Sequence, residues 1–472
     1  MNQMWRTTPA TMRMRLSQGK WKPARHLLYI SSKVAQAIYN GLELGIPSVL
    51  VITVPPRHGK SELISVSTPV WIVDWWPRAK IILNSYGAEL AEGFSRKARD
   101  IIKENQDQLR VRLKRDGSAD WETTQEGGMN AVGVGGTITG RGAHVLITDD
   151  YLKNAEEAAS KTIKDKSFDW AMSTAFTRLE PGGVWIILAT RWAVDDIIGR
   201  LIAEGALNVE VINFPAEAEE NDPLGRQVGE ALWPERYNLE ALQRIKQAIG
   251  SYFYNALYQQ RPSPADGDAI KREWWRYYQQ RPASFHQNIV SVDAAFKKTV
   301  SGSYVAIQAW GRVDADKYLT DQVRRRMSFT DTCAALLGVL ERQKLWGYIV
   351  DAVLVEDAAN GPAIISTLQH KVPGVIPYTP QGSKDARAMA HSAQIEGGNI
   401  YLPHKDIAPW VDAYVNEWCY VGAPRGAADH MDQVDSSSQA WAYMGNLGFD
   451  VQSLIDSIIV GPNLESTQRA DY

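Results

Sequence analysis

Two sets of residues have types and spacings suited to phosphate chemistry. The first begins at "VLVITVPPRHGKSELI", Val49 to Ile64, where Gly59-Lys60-Ser61 follows an apolar β-branched run and precedes a helical one. In that context Pro56, Arg57, His58 and Gly59 form a loop whose backbone N–H groups and helix N-terminus cradle phosphates. Lys60 would reach the β/γ-phosphates of ATP and Ser61 would ligate Mg2+. Val54 stands where the first glycine of G-x-x-x-x-G-K-[ST] belongs, and a lone Gly-Lys-Ser is more often a surface turn. A second run, "HVLITDD", ends in Asp149 and Asp150, the arrangement that puts one carboxylate on magnesium and the next near an attacking water. The plain alternative is that they cap a helix starting near Tyr151. A third run, "VWIILATRW", ends at Thr190, whose hydroxyl could sense a γ-phosphate or simply close a strand.

The second set lies in the other half of the chain. Asp293 ends "NIVSVD", Glu356 and Asp357 end "AVLVED", and Asp432 and Asp435 lie in "DHMDQVDSSSQAWAYM", which reads as a helix start. Carboxylates at the ends of separate strands and a helix can bind two cations about 3.5 to 4 Å apart and clamp a phosphodiester. Oxygen donors without cysteine or paired histidine suit Mg2+ or Mn2+ rather than zinc. Singly, each acid would more often be a cap or an ion-pair partner. Neighbouring strand residues point to opposite faces, so only one of Glu356 and Asp357 can face the cations, and Glu356 is favoured.

Elements must hold these residues in place. At 472 residues the chain exceeds what one core serves, so two domains are expected. Up to about Pro215, strand candidates alternate with helical runs, which implies a mainly parallel α/β sheet. Residues 216–287 are polar and aromatic with turn signals and read as a connecting region. From Asn288 the pattern restarts with antiparallel-looking strands, "NIVSVDAAF", "SYVAIQAWGR" and "DKYLTDQVRR". The expected units are therefore 1–215, 216–287, 288–445 and a C-terminal tail, 446–472. No apolar run approaches the roughly 18 to 20 residues of a membrane span, so the chain is expected in the cytoplasm and off membranes. Two cysteines, Cys333 and Cys419, cannot build a disulfide framework and read as buried thiols. Net charge is only -3, so nucleic-acid binding would need local patches. "KREWWRYYQQR", Arg324 to Arg326, and Lys384 with Arg387 are the candidates, although the aromatics of the first suit packing better.

The ordered blocks "VPPRHGKSE", "NSYGAELAEGFSRKARDII", "GRGAHVLITDDYLKNAEEA", "FTRLEPGGVWIILATRW" and "GEALWPERY…ALYQQRPSP" resemble the large terminase subunit of tailed bacteriophages, from about Arg25 to Met444. Phosphate loops of that family often lack the first glycine, so Val54 is no obstacle. The resemblance implies a P-loop NTPase domain of the additional-strand, RecA-like type followed by an RNase H-like nuclease domain with a mixed sheet. By position it implies Lys60 on the phosphates, Ser61 and Asp149 on Mg2+, Asp150 as the catalytic carboxylate and Thr190 in the coupling motif. An arginine finger is expected too, with Arg57, Arg141 and Arg178 as candidates. In the nuclease half, "SVDAAFK", "VEDAANGPAI" and "DHMDQVDSSSQA" match the family's motifs, which implies Asp293, Glu356 and Asp432 as metal ligands. Met431 replaces the family's second aspartate there, leaving Asp435 or His430 to help, or a weakened nuclease. The implied partners are double-stranded DNA, the portal protein of the procapsid, a small terminase subunit and further copies in a ring. The implied place is the host cell cytoplasm. A helicase-like DNA-dependent ATPase and a catalytically weakened prophage remnant are the competing readings.

Overall fold

The computed structural model describes residues 4–445 apart from 139, 141, 206, 264–268, 294–302, 358–360, 370, 371, 373 and 423–430. Arg141, His430 and the tail 446–472 thus lie outside the described residues. The chain forms two compact units. The first holds the chain to Lys246 plus Phe253–Ser263, and the second holds Gln247–Tyr252 and the described chain after Ser263. Among the described residues no helix is long and apolar enough to cross a membrane.

The first unit is built on an eight-stranded sheet. Its strands are β1 (Ser48–Thr53), β2 (Lys80–Ser85), β3 (Leu113–Asp116), β4 (Asp120–Thr123), β5 (Gly128–Gly133), β6 (Ala143–Asp149), β7 (Leu179–Ala189) and β8 (Val209–Asn213). Their order is β3-β4-β5-β2-β6-β7-β1-β8, parallel except at the β3 and β4 edge. β7, late in sequence, is inserted between β1 and β6, and its register aligns Ala189 with Thr53 and Leu188 with Asp149. The three strands therefore end flush at one sheet edge. β1, β6 and β7 are continuous buried runs of Val, Ile and Leu, as expected of strands covered on both faces. One cover is the helix Arg25–Leu44, whose Leu27, Ile30, Val34, Ile38 and Gly41 recur at helical spacing and are buried.

Residues 216–287, read from sequence as a connecting region, do not stand apart. Leu232 and Trp233 join the first unit's core, while Trp275 packs edge-on to Tyr414 and Trp418 of the second. Burying large rings draws each half of the segment into the nearer core. Of the aromatic-basic run, Trp275 and Tyr278 are buried and only Tyr277 is largely exposed, so its rings serve packing.

The second unit carries a seven-stranded mixed sheet made of β9 (Arg276–Tyr278), β10 (Gln287–Asp293), β11 (Ser303–Val313), β12 (Asp316–Met327), β13 (Ala352–Glu356), β14 (Val375–Tyr378) and β15 (Ile400–Pro403). The order is β14-β13-β10-β11-β12-β15-β9. β10, β11 and β12 run antiparallel, while β13 joins β10 in parallel, which is the RNase H-like arrangement. The helix Asp432–Gly445 lies on β10 and β11. Its buried polar residues set its register. Ser291 and Ser436 each donate to the other's carbonyl, Ser437 donates to Gln308 Oε1 at 2.8 Å, and Gln322 donates to Gln433 Oε1 at 2.8 Å. Farther along, Trp441 stacks on Trp418 with centroids 4.9 Å apart. Polar pairs specify one alignment and the stacked rings supply buried area.

Close packing of the helix Arg25–Leu44 on β7 makes a testable demand. A Cβ at Gly41 would collide with Val184 and stand 2.6 Å from Gly182 O, a carbonyl fixed in the sheet. Gly93, also helical, would meet nothing within 4 Å. Helix propensity favours alanine by about 1 kcal/mol at either site, whereas overpacking costs about 1–3 kcal/mol. Gly41→Ala should therefore lower the denaturant stability of the first unit while Gly93→Ala raises it, and equal shifts would refute the packing argument.

Candidate functional site

At the flush ends of β1, β6 and β7 the residues of the first set come together. Lys60 Nζ donates to Thr190 Oγ1 at 2.5 Å and lies 3.5 Å from Asp150 Oδ1. The same Asp150 oxygen accepts from the Thr190 backbone N–H at 3.2 Å. Ser61 Oγ donates to Asp149 Oδ1 at 3.2 Å. The loop backbone is bent to suit. Gly59 has φ 82°, and Arg57 and Asp150 hold φ of 59° and 45°, a region non-glycine residues rarely occupy outside functional turns. A Cβ at Gly59 would press on Leu27 at 2.9 Å, so the residue is fixed by both φ and space.

Each expected loop residue has a definite place. Lys60 is buried, Arg57 is exposed and Asp149 is fully buried. Pro56 has no N–H, and its carbonyl bonds the His58 ring at 2.8 Å. The His58 side chain is buried and stacks on Tyr237 at 4.8 Å, so only its backbone can face a ligand. Arg178 donates through Nε to Thr174 O at 3.3 Å. Ser65 was not anticipated. Its Oγ donates to Asp149 Oδ2 at 2.5 Å, and its spacing of four from Ser61 on one helix was the available signal. Burial, then repulsion from Asp150, pushes the Asp149 carboxyl up to about 7. A desolvated carboxylate beside a serine hydroxyl is a hard oxygen pair that fits Mg2+.

The second set gathers at the ends of β10 and β13 and in the first turn of the helix Asp432–Gly445. Asp293, Asp432 and Asp435 are buried and Glu356 is half-buried. Asp293 and Glu356 share a side-chain hydrogen bond. Burial first, then Asp435, raises both carboxyls, Asp293 strongly. Asp357 is exposed, in keeping with the choice of Glu356. Among the described residues Asp293 Oδ2 is buried with no hydrogen-bond partner, an orphan that a cation would satisfy. Asp435 is engaged otherwise. It pairs with Lys384 and, at 2.8 Å, with Arg387, so these two bases sit with the acid cluster and offset its charge. Among the described residues no three potential ligands converge into a ready metal cage. The donor set still fits Mg2+ or Mn2+ through Asp293, Glu356 and Asp432, which are all oxygen ligands. The basic run Arg324–Arg326 is likewise drawn inward at Arg324, which pairs with Glu417 at 3.2 Å and approaches Asp432 at 3.9 Å.

Residues 290–444 match the family model described as the terminase RNaseH-like domain. No curated protein matches the sequence. Among solved structures, the large terminase of a thermophilic bacteriophage in complex with ATP-gamma-S is similar at 12% identity, covering 89% of this chain and 99% of that one, with TM-score 0.48. The ATPase domain of a Thermus phage large terminase is 15% identical over 54% of this chain and 100% of its own, with TM-score 0.36. The nuclease domain of the bacteriophage SPP1 large terminase with bound Mn is 10% identical over 37% and 99%, with TM-score 0.28.

The buried ring pair under the phosphate loop carries a pH signature. His26 Nε2 bonds His58 O at 2.8 Å, and burial lowers the His26 pKa to about 4 and the His58 pKa to about 3. Both folded values lie below the ordinary 6.5. Their stabilisation is therefore complete above pH 6.5 and is lost as pH falls through about 4 and then about 3. His26→Gln should flatten the acid loss of first-unit stability by on the order of 3 kcal/mol between pH 7 and 4. Denaturant titrations at stepped pH measure it, and an unchanged slope would count against the assignment.

Proposed function

We propose that this chain, whose residues 290–444 match the terminase RNaseH-like domain, is a viral DNA-packaging motor subunit that hydrolyses ATP to move double-stranded DNA and cuts that DNA with metal-dependent chemistry. The observation that carries this reading is one chain holding both a phosphate loop after β1 with paired acids at the end of β6, the two strands separated only by β7, and, after it, a match to the terminase RNaseH-like domain.

In the motor, backbone N–H groups around Gly59 and the Lys60 ammonium bind the β/γ-phosphates of ATP. Ser61 and Asp149 would hold Mg2+, which when bound offsets phosphate charge. Asp150 takes the proton of the attacking water. Thr190, bonded to Lys60 and through its N–H to Asp150, reports phosphate loss from one side of the site to the next strand. Arg57, exposed on the loop, supplies a cation to the developing charge. In the nuclease, Asp293, Glu356 and Asp432 would hold Mg2+ or Mn2+, which when bound activates water and stabilises the leaving oxygen. Asp435, with Lys384 and Arg387, orders the rest of the pocket. The partners on this reading are the portal protein, a small terminase subunit and further copies in a ring, in the host cytoplasm.

ATP hydrolysis by the purified chain should rise with double-stranded DNA and fall at least about 100-fold in Lys60→Ala and in Asp150→Ala, the range expected for loss of a catalytic base. Wild-type turnover absent even with portal-bearing procapsids would favour the remnant reading, and strand separation would favour the helicase-like one.

Plasmid cleavage with Mn2+ tests the second half separately. Asp293→Ala, Glu356→Ala and Asp432→Ala should each abolish cutting while sparing ATP hydrolysis. Normal cutting by all three would remove the two-metal nuclease from the reading.

A further inference from the structure

Glu417 is a buried carboxylate outside the expected ligand set, carried by the helix Val411–Cys419. Its Oε1 accepts from the backbone N–H of Gln433 at 2.7 Å and of Val434 at 3.2 Å. These are the two residues directly after Asp432, in a first turn whose N–H groups have no partner within their own helix. Its Oε2 accepts from Gln433 Nε2 at 2.5 Å and lies 3.2 Å from Arg324. Burial pushes the Glu417 carboxyl up to about 7 against the pull of these hydrogen bonds and of Arg324. A glutamine would cap the turn at a smaller desolvation cost, so capping alone does not account for a carboxyl group here.

What the charge adds is a hold on Arg324. The same guanidinium nitrogen is 3.9 Å from Asp432 Oδ2, and the group also lies over the Tyr304 ring at 4.6 Å. Arg324 is thus shared between a close carboxylate and a distant one. If Glu417 were uncharged, the guanidinium would close on Asp432 and compete with a divalent cation for its oxygens.

We infer that Glu417 is a positioning residue of the nuclease site: it fixes the turn that carries Asp432 and draws Arg324 to itself, so that this guanidinium competes less with a divalent cation for the Asp432 carboxylate. The inference rests on the nuclease reading above. It follows the general pattern in which groups behind metal ligands decide affinity.

Mn2+ binding to the full chain, followed by electron paramagnetic resonance with Asp293→Ala reporting the motor's share, tests it. Glu417→Gln, which keeps an acceptor for the helix turn, should weaken nuclease-site affinity about 10–100-fold. Adding Arg324→Gln to that variant should restore affinity toward the parent, a rescue that a purely structural role would not give. Arg324→Gln alone should not weaken binding, and this decides the matter if Glu417→Gln fails to fold. Unchanged affinity in Glu417→Gln, no rescue in the double variant, or weaker binding in Arg324→Gln would each overturn the inference. A parent chain that binds no Mn2+ beyond the Asp293→Ala level would instead remove the nuclease reading, and this inference with it.

Discussion

Carboxylates crowded into a space with little water repel one another and lose their hydration, so each needs a cation or a proton close by. Both candidate sites obey this constraint. Asp149, buried next to Asp150, is met by two serine hydroxyls, and Lys60 stands by Asp150. In the second unit Asp293 and Glu356 share a hydrogen bond, Asp435 is held by Lys384 and Arg387, and Arg324 lies between Glu417 and Asp432. Such clusters raise the cost of the fold, and a divalent cation is a group that would relieve them.

The sheets exist in the form they do because something must deliver those acids to one edge. In the first unit the delivery is by parallel register: β7 enters between β1 and β6, and three strand ends become neighbours. In the second unit two parallel strand ends meet the start of a helix, and a buried network of Ser and Gln side chains fixes where along β10 and β11 that helix stops. An apolar helix face would allow sliding by a turn; paired amides and hydroxyls do not, because each slip would strand a buried donor.

Much of this was legible in the chain itself. "SVLVIT", "KIILNS", "HVLITD" and "VWIILA" are continuous β-branched runs, and each is a strand of the first sheet. The acids at the ends of "NIVSVD" and "AVLVE" are strand-end residues in the second. The antiparallel pair β3 and β4 went unread, since "LKRD" and "DWET" are too short and polar to show a strand period. The segment 216–287 reads as a connecting region because its turn signals describe local backbone, whereas its place is decided by where Trp233 and Trp275 find partners.

Local sequence determined which residues could carry phosphate and metal chemistry and which elements hold them, because strand period, loop glycine and helix start are short-range properties. Tertiary structure alone decided what surrounds those residues. His58 turned inward onto Tyr237, Ser65 came beside Asp149, Lys384 and Arg387 closed on Asp435, and Glu417 reached the turn after Asp432. Apart from Ser65, whose spacing from Ser61 sets only its helix face, no spacing in the chain encodes these contacts. They join residues far apart in sequence, and those to carboxylates form because burying a charge is tolerable only where the folded chain supplies its partner.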